Sequence, residues 1–291
     1  MCGRMETVAY CYNRNRLEVA EMAHSRQSDQ EVYFYCPECH VGVVPARSRK
    51  NNYFFRALSG HLHQKNCSFY KERIEGSGHY SPQEHSSAEP ERLPPTILGA
   101  IATQHRIGKP SPRDLPQLIR QAKEAPLVVE GSFEQVVEAW NTMSRDKKRL
   151  TSLTINGTQG TYEDRFEFIG DTTKNANDFN WEDKIIYGKT CLAKGNREGV
   201  YFLDSIRKFD VGEEKRKVLN IIIREEYSKQ KQKKYIRNLL NDGEKRSDAF
   251  TLFIHGCRPE YNYERKKIGL SLPDNSTYKG VCVRANKRAQ R

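Results

Sequence analysis

The chain contains no run of about 18 consecutive apolar residues, the least that a membrane-crossing helix needs. Its opening, Met1-Cys2-Gly3-Arg4-Met5-Glu6, has no apolar stretch after the arginine, so no secretory signal is expected. Cysteine is scarce. Eight in 291 residues is too few for a disulfide scaffold, and without export the thiols are expected to be reduced in cytosol. The phosphate-cradling Gly-x-x-x-x-Gly-Lys-Ser/Thr loop is missing, as are Gly-x-Gly-x-x-Gly and the Gly-x-Ser-x-Gly elbow of serine hydrolases. No internal repeat is visible, which argues against a solenoid.

What is present argues for folded domains. Fifteen Tyr and 12 Phe supply large apolar groups for a core, so wholesale disorder is excluded. At about 100–200 residues per domain, the length fits two domains, with room for a small third module. The formal net charge of +12 is unevenly placed. Residues 201–291 carry 22 Lys+Arg against 12 Asp+Glu, whereas residues 1–200 carry 27 against 25. A basic excess confined to the last third points to a polyanionic partner, because each neutralised phosphate releases condensed counterion.

The period of the apolar residues changes along the chain. Thr7 to Tyr12 is β-prone, and Leu17 to His24 fits a strand end or a short helix. Val32 to Tyr35 runs into Cys36-Pro37-Glu38-Cys39, followed by Val41 to Val44, a basic turn at Arg47 to Asn52, and Tyr53-Phe54-Phe55. That order predicts strand, knuckle, strand, turn, strand. Ser59 to Cys67 then predicts a helical turn. Residues 74–96 are dense in Gly, Ser, Pro and Glu and form a linker. In 97–149, Leu115, Leu118, Ile119 and Ala122 predict one helix stopped by Pro126. Ser132 with Gln135 forms a capping box for a second, whose apolar stripe is Phe133, Val136, Val137, Trp140 and Met143.

From residue 150 the period becomes two. Leu153 and Ile155 precede an Asn156-Gly157 hairpin signal, and further strands are expected at Phe166 to Phe168, Lys184 to Ala193, Val200 to Leu203, Val218 to Ile223 and Phe250 to Ile254. Tyr227 to Leu240 predicts a basic helix. The expected fold is therefore α+β: a zinc module (1–73) of hairpin knuckle plus helix, a linker (74–96), a helical connector (97–149) and a β-rich domain (150–291). An oligonucleotide-binding (OB) type barrel leads for the last of these, with an α+β sheet as the fallback.

Four residues can close a tetrahedral zinc site: Cys36, Cys39, His63 and Cys67. A Cys-x2-Cys knuckle points two thiolates inward from one tight turn, and His63 and Cys67, four apart, reach one ion from a single face. His61 and His40 are alternatives. Were the turn helical, His61 and His63 would point opposite ways, and His63 is preferred. A closed set of four protein ligands leaves no position for activated water, so the zinc would be structural. The lone Cys191, Cys257 and Cys282 read as buried small hydrophobes, and His255 with Cys257 gives no sign of an activated thiol.

The run Val32-Tyr33-Phe34-Tyr35-Cys36-Pro37-Glu38-Cys39, with Val43-Val44, Tyr53-Phe54-Phe55 and His61-x-His63-x3-Cys67, resembles the N-terminal zinc-binding module of the competence protein CoiA-like family. The resemblance covers about residues 8–71. It implies bound zinc and a DNA-related setting in bacteria or their mobile elements, such as DNA uptake or antiviral defence. That family pairs the module with a nuclease domain, but no matching nuclease motif follows here.

Asp171, Glu182 and Lys184 weakly resemble the carboxylate and lysine arrangement of metal-dependent nucleases, in which the acids hold Mg²⁺. Three basic runs, two of them interleaved with tyrosine, carry more weight. The first is Lys229, Lys231, Lys233, Lys234, Tyr235 and Arg237. The second is Tyr261, Tyr263, Arg265, Lys266 and Lys267, and the third a basic tail of Arg284, Lys287, Arg288 and Arg291. Cations hold phosphates while tyrosine faces stack bases, the combination used by single-strand binders. The sequence thus predicts a non-catalytic, zinc-containing, cytoplasmic nucleic-acid-binding protein. A metal-dependent nuclease, or an adaptor docking proteins through its zinc module, are the alternatives.

Overall fold

A computed structural model describes residues 6–25, 32–49, 52–70, 93–100, 106, 108–169, 175–192, 200–211, 214–224, 250–262, 267–270 and 277–286. The chain divides into two compact units, Met1–Leu93 with Ile101–Glu130, and Pro94–Ala100 with Gly131–Arg291. Residues 97–149, expected as one connector, are shared between them. Both helices and sheets are present, as expected for an α+β chain.

The first unit holds β1 (Val8–Cys11), β2 (Arg16–Val19), β3 (Phe34–Tyr35), β4 (Gly42–Arg47) and β5 (Tyr53–Ala57), in the antiparallel order β2-β1-β3-β4-β5. Leu17 to His24 turns out to be both of the expected things: β2 passes directly into α1 (Ala20–Ser25). Alternation along β1 sends Ala9 and Cys11 into one core with Ala20, Ala23, Phe34, Val43 and Phe55. Tyr10, on the opposite face, packs with Leu115, Ile119 and Ala122 of α2 (Leu115–Glu124). Those three recur at i, i+4 and i+7, the spacing that lines one helix face. The helix ends at Ala125, which is extended because the residue before Pro126 is driven from the helical region.

The expected helical turn at 59–67 does not form. The segment is a loop of successive turns, closed by backbone bonds from His61 to Leu58 and from Cys67 to Gln64. Gly60 sits at φ 84°, a left-handed conformation that a right-handed helix cannot contain.

In the second unit β6 (Ile97–Leu98), β7 (Glu130–Gly131, where the chain leaves the first unit), β8 (Ser152–Ile155) and β9 (Thr158–Thr161) form a small sheet in the order β7-β6-β8-β9. Asn156 and Gly157, at φ 49° and 79°, make the two-residue hairpin between β8 and β9. The capping box of α3 (Phe133–Thr142) is present in both halves: Gln135 N donates to Ser132 Oγ, and Ser132 N to Gln135 Oε1. Replacing Ser132 with Ala should lower stability by about 1 kcal/mol, read as a shift in denaturant midpoint at unchanged slope. Short helices α4 (Arg145–Leu150) and α5 (Tyr162–Arg165) follow on either side of the hairpin.

The larger sheet comprises β10 (Phe166–Phe168), β11 (Ile185–Leu192), β12 (Val200–Val211), β13 (Glu214–Arg224), β14 (Phe250–His255), β15 (Pro259–Asn262), β16 (Lys267–Leu270) and β17 (Gly280–Ala285). Its order is β15-β16-β13-β12-β11-β14-β17, with β10 parallel to β11. Among the described residues the two ends of this path do not pair, so the sheet is open rather than a closed OB-type barrel. The sheet is buried on both faces: Ile186, Leu252, Ile254 and Val283 enter one apolar cluster, while Ile185, Phe253 and Cys282, of opposite parity, enter another with Phe133, Val136 and Val137 of α3. The expected basic helix Tyr227 to Leu240 lies outside the described residues. No helix among the described residues is long and apolar enough to cross a membrane.

Candidate metal centre and basic segments

The knuckle is built by the end of β3 and the start of β4. Cys36 N donates to Val41 O at 2.8 Å and His40 N to Cys36 O at 3.0 Å, which curls residues 36–41 into a tight turn. His40 closes that turn at φ 63°, a left-handed position that histidine adopts more readily than most residues. Its imidazole is absent from the cluster of candidate ligands.

The loop after β5 brings the second pair. Cys36, Cys39, His63 and Cys67 have ligand atoms all within 4.8 Å of one another, and they are the one such group among the described residues. Cys36 Sγ lies 3.8 Å from Cys67 Sγ. His63 Nδ1 lies 3.3 Å from Cys39 Sγ and 3.5 Å from Cys67 Sγ. A tetrahedral ion with bonds of about 2.3 Å to sulfur and about 2.0 Å to nitrogen spaces its sulfurs about 3.8 Å apart, and sulfur from nitrogen about 3.5 Å apart. Three of the six donor separations thus stand close to those of a three-sulfur, one-nitrogen tetrahedron, and the other three lie within 4.8 Å. His61 points elsewhere: it is exposed, with Nδ1 3.3 Å from Ser59 O.

Two carboxylates that the sequence did not mark sit beside the cluster. Glu38, inside the knuckle, accepts from Ser68 N at 2.7 Å and Ser68 Oγ at 2.6 Å, tying the Cys67 segment to the Cys36 turn. These bonds hold the Glu38 carboxyl below the usual carboxylate range. Glu6, 2% exposed, places Oε2 3.7 Å from His63 Nε2. Burial pushes its carboxyl up to about 7, partly offset by the Cys36 thiol. Burial also lowers the His63 pKa, favouring the neutral imidazole that a metal requires. Cys36 and Cys67 are pushed up by the same desolvation, so these two thiols hold their protons until a cation replaces them.

Of the three lone cysteines, Cys257 and Cys282 are buried, as is Cys11, and burial raises Cys257 and Cys282 to about 11 and about 12; Cys191 is only partly buried and departs from the reading of a buried small hydrophobe. Cys257 Sγ donates to His255 O, while His255 Nδ1 lies 3.0 Å from Lys184 O, so the two side chains form no thiol–imidazole pair.

The nuclease alternative finds its acids otherwise engaged. Glu182 pairs with Lys279 Nζ at 3.2 Å, Lys184 Nζ with Glu167 at 3.0 Å, and Asp183 accepts from Asn180 Nδ2 at 3.1 Å. Asp171 lies outside the described residues. So do Lys229, Lys231, Lys233, Lys234, Tyr235, Arg237, Tyr263, Arg265, Lys266, Lys287 and Arg288. Lys267 lies in β16. Tyr261 is partly buried and packs against a core cluster. Arg284 is in no tail: it belongs to β17, opposite Thr251, and its guanidinium lies 3.6 Å from Glu138. The alternation Val281, Cys282, Val283 before it carried that signal, and the terminal run of cations masked it. Compared with known proteins, the chain matches no family model, no curated sequence and no solved structure.

Proposed function

We propose that the first unit holds one structural zinc ion on Cys36, Cys39, His63 and Cys67, within a non-catalytic protein that binds single-stranded nucleic acid. The spacing of the four donor atoms carries the zinc reading. Three thiolates and an imidazole suit zinc over harder cations, and four protein donors fill the tetrahedron without leaving a place for water. The nucleic-acid reading draws on the surplus of cations in residues 201–291. The resemblance to the CoiA-like zinc module adds a DNA-related, cytoplasmic setting such as uptake or antiviral defence.

The test is purified protein assayed for zinc and for shifts of labelled single strands, with and without Mg²⁺. One equivalent of zinc, strands left intact, and binding that weakens as salt rises are the expected results. Reversing Lys233, Lys234 and Arg237 to Glu should weaken binding and flatten the salt dependence by about 0.7 in log–log slope per lost phosphate contact. Cleavage with Mg²⁺, or affinity indifferent to the reversal, would overturn this assignment. Docking of a protein partner through the first unit is the second reading. It draws on Leu58 and Leu62, which stand 42% and 57% exposed on the segment that carries His63. Co-purification of a defined partner through residues 1–73 without nucleic acid would favour it.

A further inference from the structure

Glu6 is the one acid among the described residues whose two carboxylate oxygens are both buried with no hydrogen bond of good geometry, although the Cys36 thiol lies near enough to favour its ionised form. Desolvating a carboxylate so completely is costly unless something compensates for it. Its backbone is pinned, because Phe55 N donates to Glu6 O at 2.7 Å. What the carboxylate faces is the far nitrogen of His63, at 3.7 Å, while the near nitrogen, Nδ1, faces the sulfurs of Cys39 and Cys67.

We propose that Glu6 is a positioning residue for the metal centre: it accepts the Nε2–H of His63 and so holds the ring in the tautomer whose Nδ1 lone pair is free to bind the ion. This rests on the zinc reading above. Histidine has only two ring nitrogens, and a proton fixed on one leaves the other as the ligand. A cation on Nδ1 withdraws electrons from the ring and makes Nε2–H a better donor, so the carboxylate gains its missing partner as the metal enters. The thiolates bring three negative charges to a divalent ion, and the positive edge of the imidazole, at Nε2–H, is the place where a fourth anion is tolerated. Carboxylate–histidine–metal relays of this form commonly contribute 10–100-fold to metal affinity.

The experiment uses the full zinc-loaded chain with the wild type, Glu6→Gln and Glu6→Leu. Zinc affinity is read by chelator competition, and the His63 tautomer and the solvent exchange of its Nε2 proton by two-bond ¹H–¹⁵N NMR. Leu should lose about 10–100-fold in affinity and exchange the Nε2 proton faster. Gln, whose amide oxygen can still accept, should recover most of both. A general packing defect would lower affinity without moving the imidazole proton, and that result overturns the proposal. Zinc on Nε2, or a Leu variant equal to wild type, does the same while leaving the zinc reading intact. Absence of zinc from the wild type overturns both. Should Leu fail to fold, the Gln variant decides alone: an unchanged tautomer with the Nε2 proton still slow to exchange supports the relay, and a fast one removes it.

Discussion

Stripping zinc with a chelator is expected to abolish the folding of the first unit. Three of that core's buried members are the candidate ligands Cys36, Cys39 and Cys67, and most of the rest are small: Ala9, Cys11, Ala20 and Ala23. Only Phe34, Val43 and Phe55 add large buried apolar area around them. At about 25 cal/mol per Å² of buried apolar surface, this face of the sheet contributes little that its ligands do not hold in place, and the cluster of Tyr10 with Leu115, Ile119 and Ala122 supports only the opposite face. A structural zinc site is worth about 10–16 kcal/mol in apparent binding free energy at neutral pH, enough to decide the balance. Calorimetry should show one transition vanish on chelation and return when zinc is restored. Cys39→Ser should behave like the chelated protein and copurify with little metal. If both transitions survive in metal-free protein, the ion is not structural.

The second large effect is expected at Arg16. Its Nε lies 3.1 Å from Glu18 and its Nη2 2.8 Å from Glu130, and these two carboxylates are 1% and 8% exposed. Arg14 stands farther off, at 3.6 and 3.8 Å from the same two oxygens. A fork-shaped guanidinium can serve two acids at once, which neither lysine nor an apolar side chain can do. Arg16→Met would take the nearer guanidinium away from two desolvated carboxylates, with Arg14 standing farther off. Removing one partner of a buried ion pair costs about 3–5 kcal/mol, because the charge left behind stays buried. Stability of the first unit should fall by that order, and Arg16→Met combined with Glu18→Gln and Glu130→Gln should recover part of the loss. A single variant within about 0.5 kcal/mol of wild type would show that Arg14 or water replaces the fork.

Local signals in the sequence proved dependable where a short stretch of chain contains its own cause. Ser132 and Gln135 cap α3 because both partners lie within one turn, and Asn156-Gly157 turns the β8–β9 hairpin because both residues accept positive φ. Leu115, Ile119 and Ala122 share a face through helical geometry alone. The four metal-site residues were legible for a related reason: the Cys-x2-Cys spacing is a property of one turn, and three thiols with a histidine suit few other purposes.

What needed the tertiary structure was everything decided by distant partners. The 59–67 segment delivers His63 and Cys67 without a helix, because Gly60 takes a left-handed conformation and Glu38 holds Ser68 from across the knuckle. Period-two alternation announces strands but cannot say whether a sheet closes, because closure is decided by pairing between strands distant in sequence. Arg284 and Tyr261 look like free recognition groups in sequence, yet they are engaged by Glu138 and by the core. Glu6, six residues from the start with nothing local to mark it, becomes a candidate part of the metal centre only because β5 draws its backbone in beside His63. Residue types and short spacings settled which chemistry was available, and long-range packing decided which groups were left to perform it.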